Sequence, residues 1–260
     1  MKRLLLSLLV LLPLVSCREE EPSAPAEKDT AFVSIEAYQT KTQMGTNSLP
    51  AWSVGDKIAV VGDDDEAPAE FVLRSGAGYS SASFEGRAPE GKSFIVCHPS
   101  TARCDGITFR GVLDAKVSHS MPSQALGTLP LWGRAKNLSE VKVSGICGIL
   151  RLELKGSGRI KSIVLDAGKP VSGQFLCNIK ESVFAMIGGA NIIVMDAPDT
   201  ELVQSEATPF CFILPPGEYE DLRFTFTTED SEVLYYTVED VLTVDAGFFT
   251  THSVNLNDLL

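Results

Sequence analysis

The chain has 260 residues, 34 acidic against 22 basic side chains, and a formal net charge of −12. Acidic charge without a basic patch argues against nucleic acid as a partner, and against electrostatic binding to an anionic membrane. A hydrophobic fraction of 44% over this length suffices for one large domain or two ordinary ones.

The first 16 residues have the pattern of a secretory signal peptide. A short positive region is followed by an almost wholly apolar run at 4–14, which is too short to span a bilayer. The next stretch, LVSC (14–17), resembles a bacterial lipobox, in which cleavage precedes the cysteine and its thiol becomes lipidated. We predict a lipoprotein signal peptide at 1–16 and an outer-membrane lipid anchor at Cys17, because several acyl chains together hold a protein firmly. An ordinary cleaved signal peptide with an incidental cysteine is the alternative.

The segment that follows the cysteine is polar. Residues 18–29, REEEPSAPAEKD, include no apolar side chain larger than alanine and cannot bury a core. We therefore predict a disordered acidic tether at 17–29. The run Glu19–Glu21 resembles the surface-export signal of lipoproteins in the Bacteroides group, which predicts a location at the cell surface; a plain soluble linker is the alternative.

The rest of the sequence has strand patterns and almost no helical periodicity. LRLELK (150–155) and DLRFTFTT (221–228) alternate apolar with polar side chains, and glycine- or proline-rich turns separate such runs. The pattern predicts an all-β fold of sandwiches or barrels. A lapse of the strand pattern at 126–140 suggests two β-sandwich domains, at 30–138 and 139–260; one large sandwich is the alternative. Long continuous strand runs are predicted at 141–154 and 233–244.

Lipidation of Cys17 would leave five cysteines, an odd number, so at least one thiol would stay free. Cys97 and Cys104 bracket a short loop, and whether they form a disulfide stays open. The other three lie in apolar segments and are predicted to be small buried hydrophobes: Cys147, Cys177 and Cys211.

Several segments together resemble the fimbrillin-like proteins of the Bacteroides group. Their order and spacing carry the likeness: AWSVGDKIAVVG (51–62), LPLWG (129–133), the run 146–175, and FCFILPPGEYEDLRFTF (210–226). The resemblance implies two transthyretin-like β-sandwiches and a structural or adhesive subunit of a fimbrium, with other fimbrial subunits as partners. A surface lipoprotein of the same fold that does not polymerise, and binds a glycan or host protein, is the alternative.

In shaft subunits of that family, a protease removes the first strand of the lipidated precursor. A strand of another subunit then fills the groove by β-strand addition. The corresponding strand here is AFVSIEAY (31–38), with Val33, Ile35 and Ala37 on one face. Some members are cleaved after arginine, but the loop at 39–48 contains Lys41 and no arginine. The precursor could therefore be cleaved after Lys41 or not cleaved at all. The C-terminal segment 252–260 could serve as a donor strand for another subunit or form a plain edge strand of its own domain.

No catalytic, cofactor or metal site is predicted, and the protein is not expected to be an enzyme. The three histidines lack metal-ligand spacing among themselves. His98 with Cys97 and Cys104 would supply only three of the four ligands that a structural zinc site requires. The acidic run at 63–66 is interpreted as a solvated hairpin turn rather than a calcium loop.

The two tryptophans are the residues best suited to stacking on a sugar. Trp52 and Trp132 each have apolar neighbours in the sequence. We therefore predict that they pack in the core or between domains. The abundant carboxylates single out no pair for glycoside hydrolysis.

Overall fold

The computed structural model describes residues 29–36, 39–40, 50–64, 67–119 and 128–260. The predicted signal peptide, Cys17, Lys41 and most of the tether lie outside these ranges. Strands and one short 3-10 helix make up the regular structure, with no α-helix in the described ranges, so the all-β prediction is confirmed. No helix there is long and apolar enough to cross a membrane.

Eleven strands precede residue 146. They are β1 (Asp29–Ile35), β2 (Gln39–Thr40), β3 (Lys57–Gly62), β4 (Ala69–Ser75), β5 (Ser81–Gly86), β6 (Phe94–His98), β7 (Arg103–Cys104), β8 (Thr108–Leu113), β9 (Lys116–Ser118), β10 (Leu131–Ala135) and β11 (Val141–Gly145). Eleven more follow. They are β12 (Gly148–Lys155), β13 (Gly158–Asp166), β14 (Gly173–Asn178), β15 (Val183–Met186), β16 (Ile192–Leu202), β17 (Thr208–Leu214), β18 (Gly217–Tyr219), β19 (Arg223–Thr228), β20 (Val233–Thr237), β21 (Leu242–Val244) and β22 (Phe248–Asn255), before the 3-10 helix Leu256–Leu259.

Seven strands close into a barrel. Their order is β1-β11-β10-β6-β3-β4-β5, and β5 pairs back to β1. The core inside includes Trp52, Phe71 and Phe84, all almost wholly buried. The sequence predicted a sandwich here; the structure closes the sheet instead, because β1 bonds to a strand on either side. Closure leaves no open sheet edge in the barrel.

Two sheets of the second half pack face to face. One has the order β17-β12-β22-β2, and the other β20-β19-β13-β16-β9. Alternate side chains of β12, Leu150, Leu152 and Leu154, are fully buried in one core cluster with Phe224 and Phe226 of β19. The predicted alternation of both segments is therefore confirmed, and it follows from the period of two in a strand with one buried face.

The two halves are interleaved. Four of the five sheets in the described chain draw strands from both sides of residue 138: the barrel includes β11, β2 pairs with β22, β9 pairs with β16, and β7 and β8 share a sheet with β14 and β15. The other face of β12 also contacts the barrel, where Ile149 joins the barrel core. The domain limits at 138/139 therefore stay a prediction.

Three details of the strand prediction were wrong. The run 141–154 is two strands, β11 and β12, which lie in different sheets, and 233–244 also divides into two, β20 and β21. The lapse at 126–140 contains β10. The first error arose because the turn between β11 and β12 contains two apolar residues, Ile146 and Cys147. The hydrophobic pattern of the two strands therefore continues through the turn.

Candidate functional site

The first strand of the described chain is paired along both edges. β1 runs antiparallel to β5, from Asp29 opposite Gly86 to Ser34 opposite Ser81. Along its other edge it runs parallel to β11, from Val33 opposite Val141 to Ile35 opposite Val143. A single strand therefore joins two strands that lie some 60 residues apart along the chain and closes the barrel.

The side chains of β1 alternate between the barrel core and the outside. Ala31, Val33 and Ile35 are buried and belong to the barrel core, whereas Phe32 is 54% exposed. This confirms the predicted inward face at Val33 and Ile35; Ala37 lies outside the described residues. Ile35 also lines a small cavity together with Trp52. The fluorescence of Trp52 should therefore respond to the presence or loss of β1.

Polar groups hold β1 only near its ends. The carboxylate of Asp29 accepts a hydrogen bond from the backbone N–H of Ala88 at 2.8 Å. Ser81 donates to Ser34 at 3.1 Å, and the hydroxyl of Ser144 donates to the carboxylate of Glu36. Between these ends, β1 is held by backbone hydrogen bonds and three apolar side chains. A different strand with the same alternation could make the same contacts, because neither depends on a particular polar side chain.

The chain next crosses to the second half. β2 pairs in parallel with β22, with Gln39 opposite Phe248 and Thr40 opposite Phe249. β22 is paired along its opposite edge with β12 over seven residues. Within the described chain, the outer edge of β22 has no ladder partner from Thr250 to Asn255. β1 and β2 thus contribute one strand to each half, and within the described chain the edge of β22 beyond β2 has no ladder partner.

The C-terminal segment 252–260 is part of its own fold. Val254 and Leu256 are buried in the core between the two packed sheets. The Asn255 side chain accepts a hydrogen bond from the backbone N–H of Asn257 and caps the 3-10 helix. To act as a donor to another subunit, this segment would first have to leave its own sheet.

The strand β22 also contains a partly buried titratable group, His252. The hydroxyl of Tyr236 lies 2.9 Å from Nε2 of His252. Burial lowers the pKa of His252, although the nearby charge of Asp240 acts in the opposite direction. The folded chain therefore favours the neutral imidazole.

We predict that this histidine makes the fold sensitive to mild acid. Because its pKa is lower in the folded chain than in the unfolded one, its contribution is present above a pH of about 6.5 and is lost as the pH falls below that value. Melting temperatures from pH 7.5 to pH 5 should fall less for His252→Gln than for the parent chain. Burial also lowers the pKa of His119, but this histidine is present in both chains, so its contribution to the pH dependence cancels in the comparison. Parallel curves for the two chains would contradict this prediction.

The other residues considered as sites are explained by packing. Trp52 is 2% exposed and donates a hydrogen bond to the backbone carbonyl of Ser80 at 3.1 Å. Trp132 is partly buried against the cluster where the halves meet. Both observations confirm the packing prediction. Asp63 accepts hydrogen bonds from the backbone N–H groups of Lys92 and Ser93, which hold its pKa below the usual value and leave it tied into a turn.

The partial zinc set is not assembled. Nδ1 of His98 lies 2.8 Å from the carbonyl oxygen of Leu129, and its Nε2 lies 3.7 Å from Asp56. In the described part of the chain, no three ligand-type side chains are placed to hold a metal ion. Cys97 and Cys104 do meet, as free thiols rather than as a disulfide. Cys147 and Cys177 are buried as predicted, whereas Cys211 is only partly so.

Comparison with known proteins places the fold. No protein-family model matches the sequence, and no curated protein matches it. A solved structure of a putative cell adhesion protein from Bacteroides ovatus is similar at a TM-score of 0.54 and 14% identity, over 87% of this chain and 91% of the other. Others are a putative cell adhesion protein from Bacteroides uniformis (TM-score 0.47, 13% identity, 87% and 92% covered) and the tip fimbrial protein Mfa3 from Porphyromonas gingivalis (0.35, 11%, 81% and 82%). At 14% identity, the first of these structures indicates a shared fold.

Proposed function

We propose that the protein is a cell-surface lipoprotein, anchored to the outer membrane through Cys17, that serves as a structural or adhesive subunit of a fimbrium. It would assemble with other subunits by β-strand exchange at the position of β1. The resemblance of the sequence to fimbrillin-like proteins and the fold shared with a putative cell adhesion protein support this proposal.

The proposal of strand exchange rests on the position and pairing of β1. β1, the first strand of the described chain, closes the barrel and is paired on both edges, and β2, which follows it in the sequence, pairs with β22. Withdrawal of β1 and β2 would leave a gap between β5 and β11 and would remove the strand that pairs with the outer edge of β22 in the described chain. An incoming strand with alternating apolar residues would regain the same ladder bonds and fill the same core positions.

The candidate cleavage site fits this arrangement in sequence. Lys41 directly follows β2, so a cut after it would separate both strands and Cys17 from the remaining chain. The new N-terminus would then be residue 42. A subunit that keeps the segment would stay attached to the membrane as an anchor or a stand-alone protein.

The state of the native N-terminus tests the proposal. Mass spectrometry of protein isolated from its own cells should find a mature chain that starts near residue 42 in assembled material. Unboiled gels of that material should show a ladder of subunits. A single species that retains acylated Cys17, with no ladder, would overturn the strand-exchange proposal.

The anchor has its own prediction. Cys17→Ala should abolish incorporation of labelled fatty acid and release the protein from the membrane fraction, because one residue is the only predicted attachment point. Ser16→Ala, which keeps a small residue before the cysteine, is the matched control and should stay attached. A Cys17→Ala chain that still sediments with outer membranes would contradict lipidation at this position.

A non-polymerising surface lipoprotein that binds a glycan or host protein is the second candidate. It is favoured by the burial of Val254 and Leu256, because the segment 252–260 is then occupied in its own sheet. Saturable binding of a defined glycan by the isolated monomer would support this function. The proposal includes no catalytic activity and no cofactor.

A further inference from the structure

A cavity of about 230 Å³ opens where the barrel meets the sheet formed by β7, β8, β14 and β15. Its walls include two thiols, Cys97 of β6 and Cys104 of β7, and two guanidinium groups, Arg103 and Arg110. The volume suits part of a small organic molecule rather than a macromolecule. The site is separate from β1, so it is independent of the proposed function.

The two thiols have different environments. Cys97 is 1% exposed, whereas Cys104 is only partly buried and reaches the cavity. The thiol of Cys97 donates a hydrogen bond to the sulfur of Cys104, and this bond, the backbone N–H of Gly106 and the charge of Arg134 hold the pKa of Cys104 below its usual value. The same hydrogen bond, together with burial, raises the pKa of Cys97. Although burial and the charge of Asp105 oppose the lowering at Cys104, its thiol is the more readily deprotonated of the two.

The charge at the cavity is opposite to that of the whole chain. Arg103 and Arg110 are exposed at its edge. The carboxylate of Asp105 also lines the cavity, and hydrogen bonds from the backbone N–H groups of Thr108 and Ile107, at 2.7 and 2.9 Å, lower its pKa. It therefore stays ionised, and two guanidinium groups with one carboxylate leave a net charge of +1 (2 − 1) at the cavity. Within a chain of net charge −12, this cationic edge would attract small anions.

We propose that Cys104 and Cys97 form a thiol–disulfide exchange site that is oxidised by small anionic disulfides entering the arginine-lined cavity. The Cys104 thiolate attacks one sulfur of the ligand, the S–S bond of the ligand breaks, and one ligand thiolate leaves. The sulfur of Cys97 then loses its proton and attacks Cys104 in the mixed disulfide, and the second ligand thiolate leaves. The protein gives up two electrons and two protons, and the disulfide ligand becomes two thiols.

Neighbouring thiols do not compete in this scheme. Cys177 is 5% exposed and belongs to the same cluster as the pair. Burial, and then the charge of Cys104, raise its pKa. It therefore remains a protonated, buried thiol at neutral pH, and entry of a ligand occurs at Cys104.

The product would be a covalent link between two parts of the fold. A bond between β6 and β7 connects the barrel to the sheet that carries β14 and β15 of the second half. A disulfide would close the loop between Cys97 and Cys104, and it is expected to raise the melting temperature by about 5–10 °C for a chain of this size. This rise in melting temperature measures formation of the Cys97–Cys104 disulfide independently of mass analysis.

The test uses the full mature chain carrying Cys17→Ala, so that the N-terminal thiol does not react. Oxidised glutathione, which is anionic, is compared with cystamine, a cationic disulfide. We expect oxidised glutathione to remove two hydrogens from the intact mass and to give one Cys97–Cys104 linked peptide pair, about tenfold faster than cystamine at low salt. The double variant Arg103→Ser with Arg110→Ser should make the two rates nearly equal.

Single variants assign the two roles. Cys97→Ser should stop at a mixed disulfide, one glutathione on Cys104, whereas Cys104→Ser should not react and Cys211→Ser should behave as the parent. Circular dichroism of each variant establishes that it is folded, and the arginine double variant provides a test that retains both thiols. Modification at Cys177 instead, reaction only after denaturation, or equal rates for the two disulfides with the parent chain would each overturn the proposal.

Discussion

Replacing Val33 by aspartate should lower the melting temperature by at least about 10 °C. The side chain is 1% exposed in the barrel core, so the change removes about 1.5–3 kcal/mol of apolar burial and adds a further cost of several kcal/mol for a carboxyl group without partners. Each kcal/mol corresponds to about 2–4 °C for a chain of this length. Thermal denaturation followed by circular dichroism at neutral pH measures the effect.

The matched control lies on the same strand. Phe32→Asp introduces the same charge at a position that is 54% exposed and points away from the core, and it should change the melting temperature by only about 1–2 °C. A comparable loss for both variants would mean that β1 does not present one face to the barrel. A negligible loss for Val33→Asp would mean that the barrel core does not depend on β1.

Cutting the folded chain just after residue 41, at a protease site inserted there, should make β1 exchangeable. A labelled peptide with the sequence of residues 29–40 should replace the cut segment, because it restores the same backbone ladders, the same alternating apolar side chains and the same polar groups at the strand ends. Since Ile35 and Trp52 line one cavity, transient loss of the strand should shift the emission of Trp52 to longer wavelength. A Trp132→Phe background leaves Trp52 as the one remaining tryptophan.

A peptide with aspartate in place of both Val33 and Ile35 is the control. Two buried apolar side chains contribute about 3–6 kcal/mol, so this peptide should bind at least about 100-fold more weakly. The uncut chain should incorporate neither peptide. Equal incorporation of the two peptides by the cut chain would contradict exchange at the β1 position.

The local features of this fold could be predicted from sequence. Leu150, Leu152 and Leu154 alternate with polar residues and are buried, and Val33 and Ile35 face the core as expected. A period of two is a property of neighbouring residues, so it is visible in a single sequence. The inward face of the candidate site could therefore be predicted.

The pairing of strands that are distant in the sequence could not be predicted. Nothing local to β1 indicates that its neighbours are β5 and β11, and a two-residue strand such as β2 carries no periodic signal. The closed barrel and the interleaved sheets follow from these pairings. The short loop between Cys97 and Cys104 left their pairing open in the sequence, but the cavity and the two arginines beside them could not be predicted, because several strands form that cavity and a sequence does not record their arrangement.

The interleaving of the halves has a consequence for how the chain folds as it emerges, N-terminus first, during synthesis. β8 pairs with β14 over six residues, from Leu113 opposite Gly173 to Thr108 opposite Asn178, and β9 pairs with β16 further along. β8 and β9 are thus made before β14 and β16 exist, and Phe109 and Leu113 of β8 are still uncovered at that stage. Vectorial folding from the N-terminus would stall at this point, so a holding chaperone would be most useful between emergence of β8 and emergence of β14.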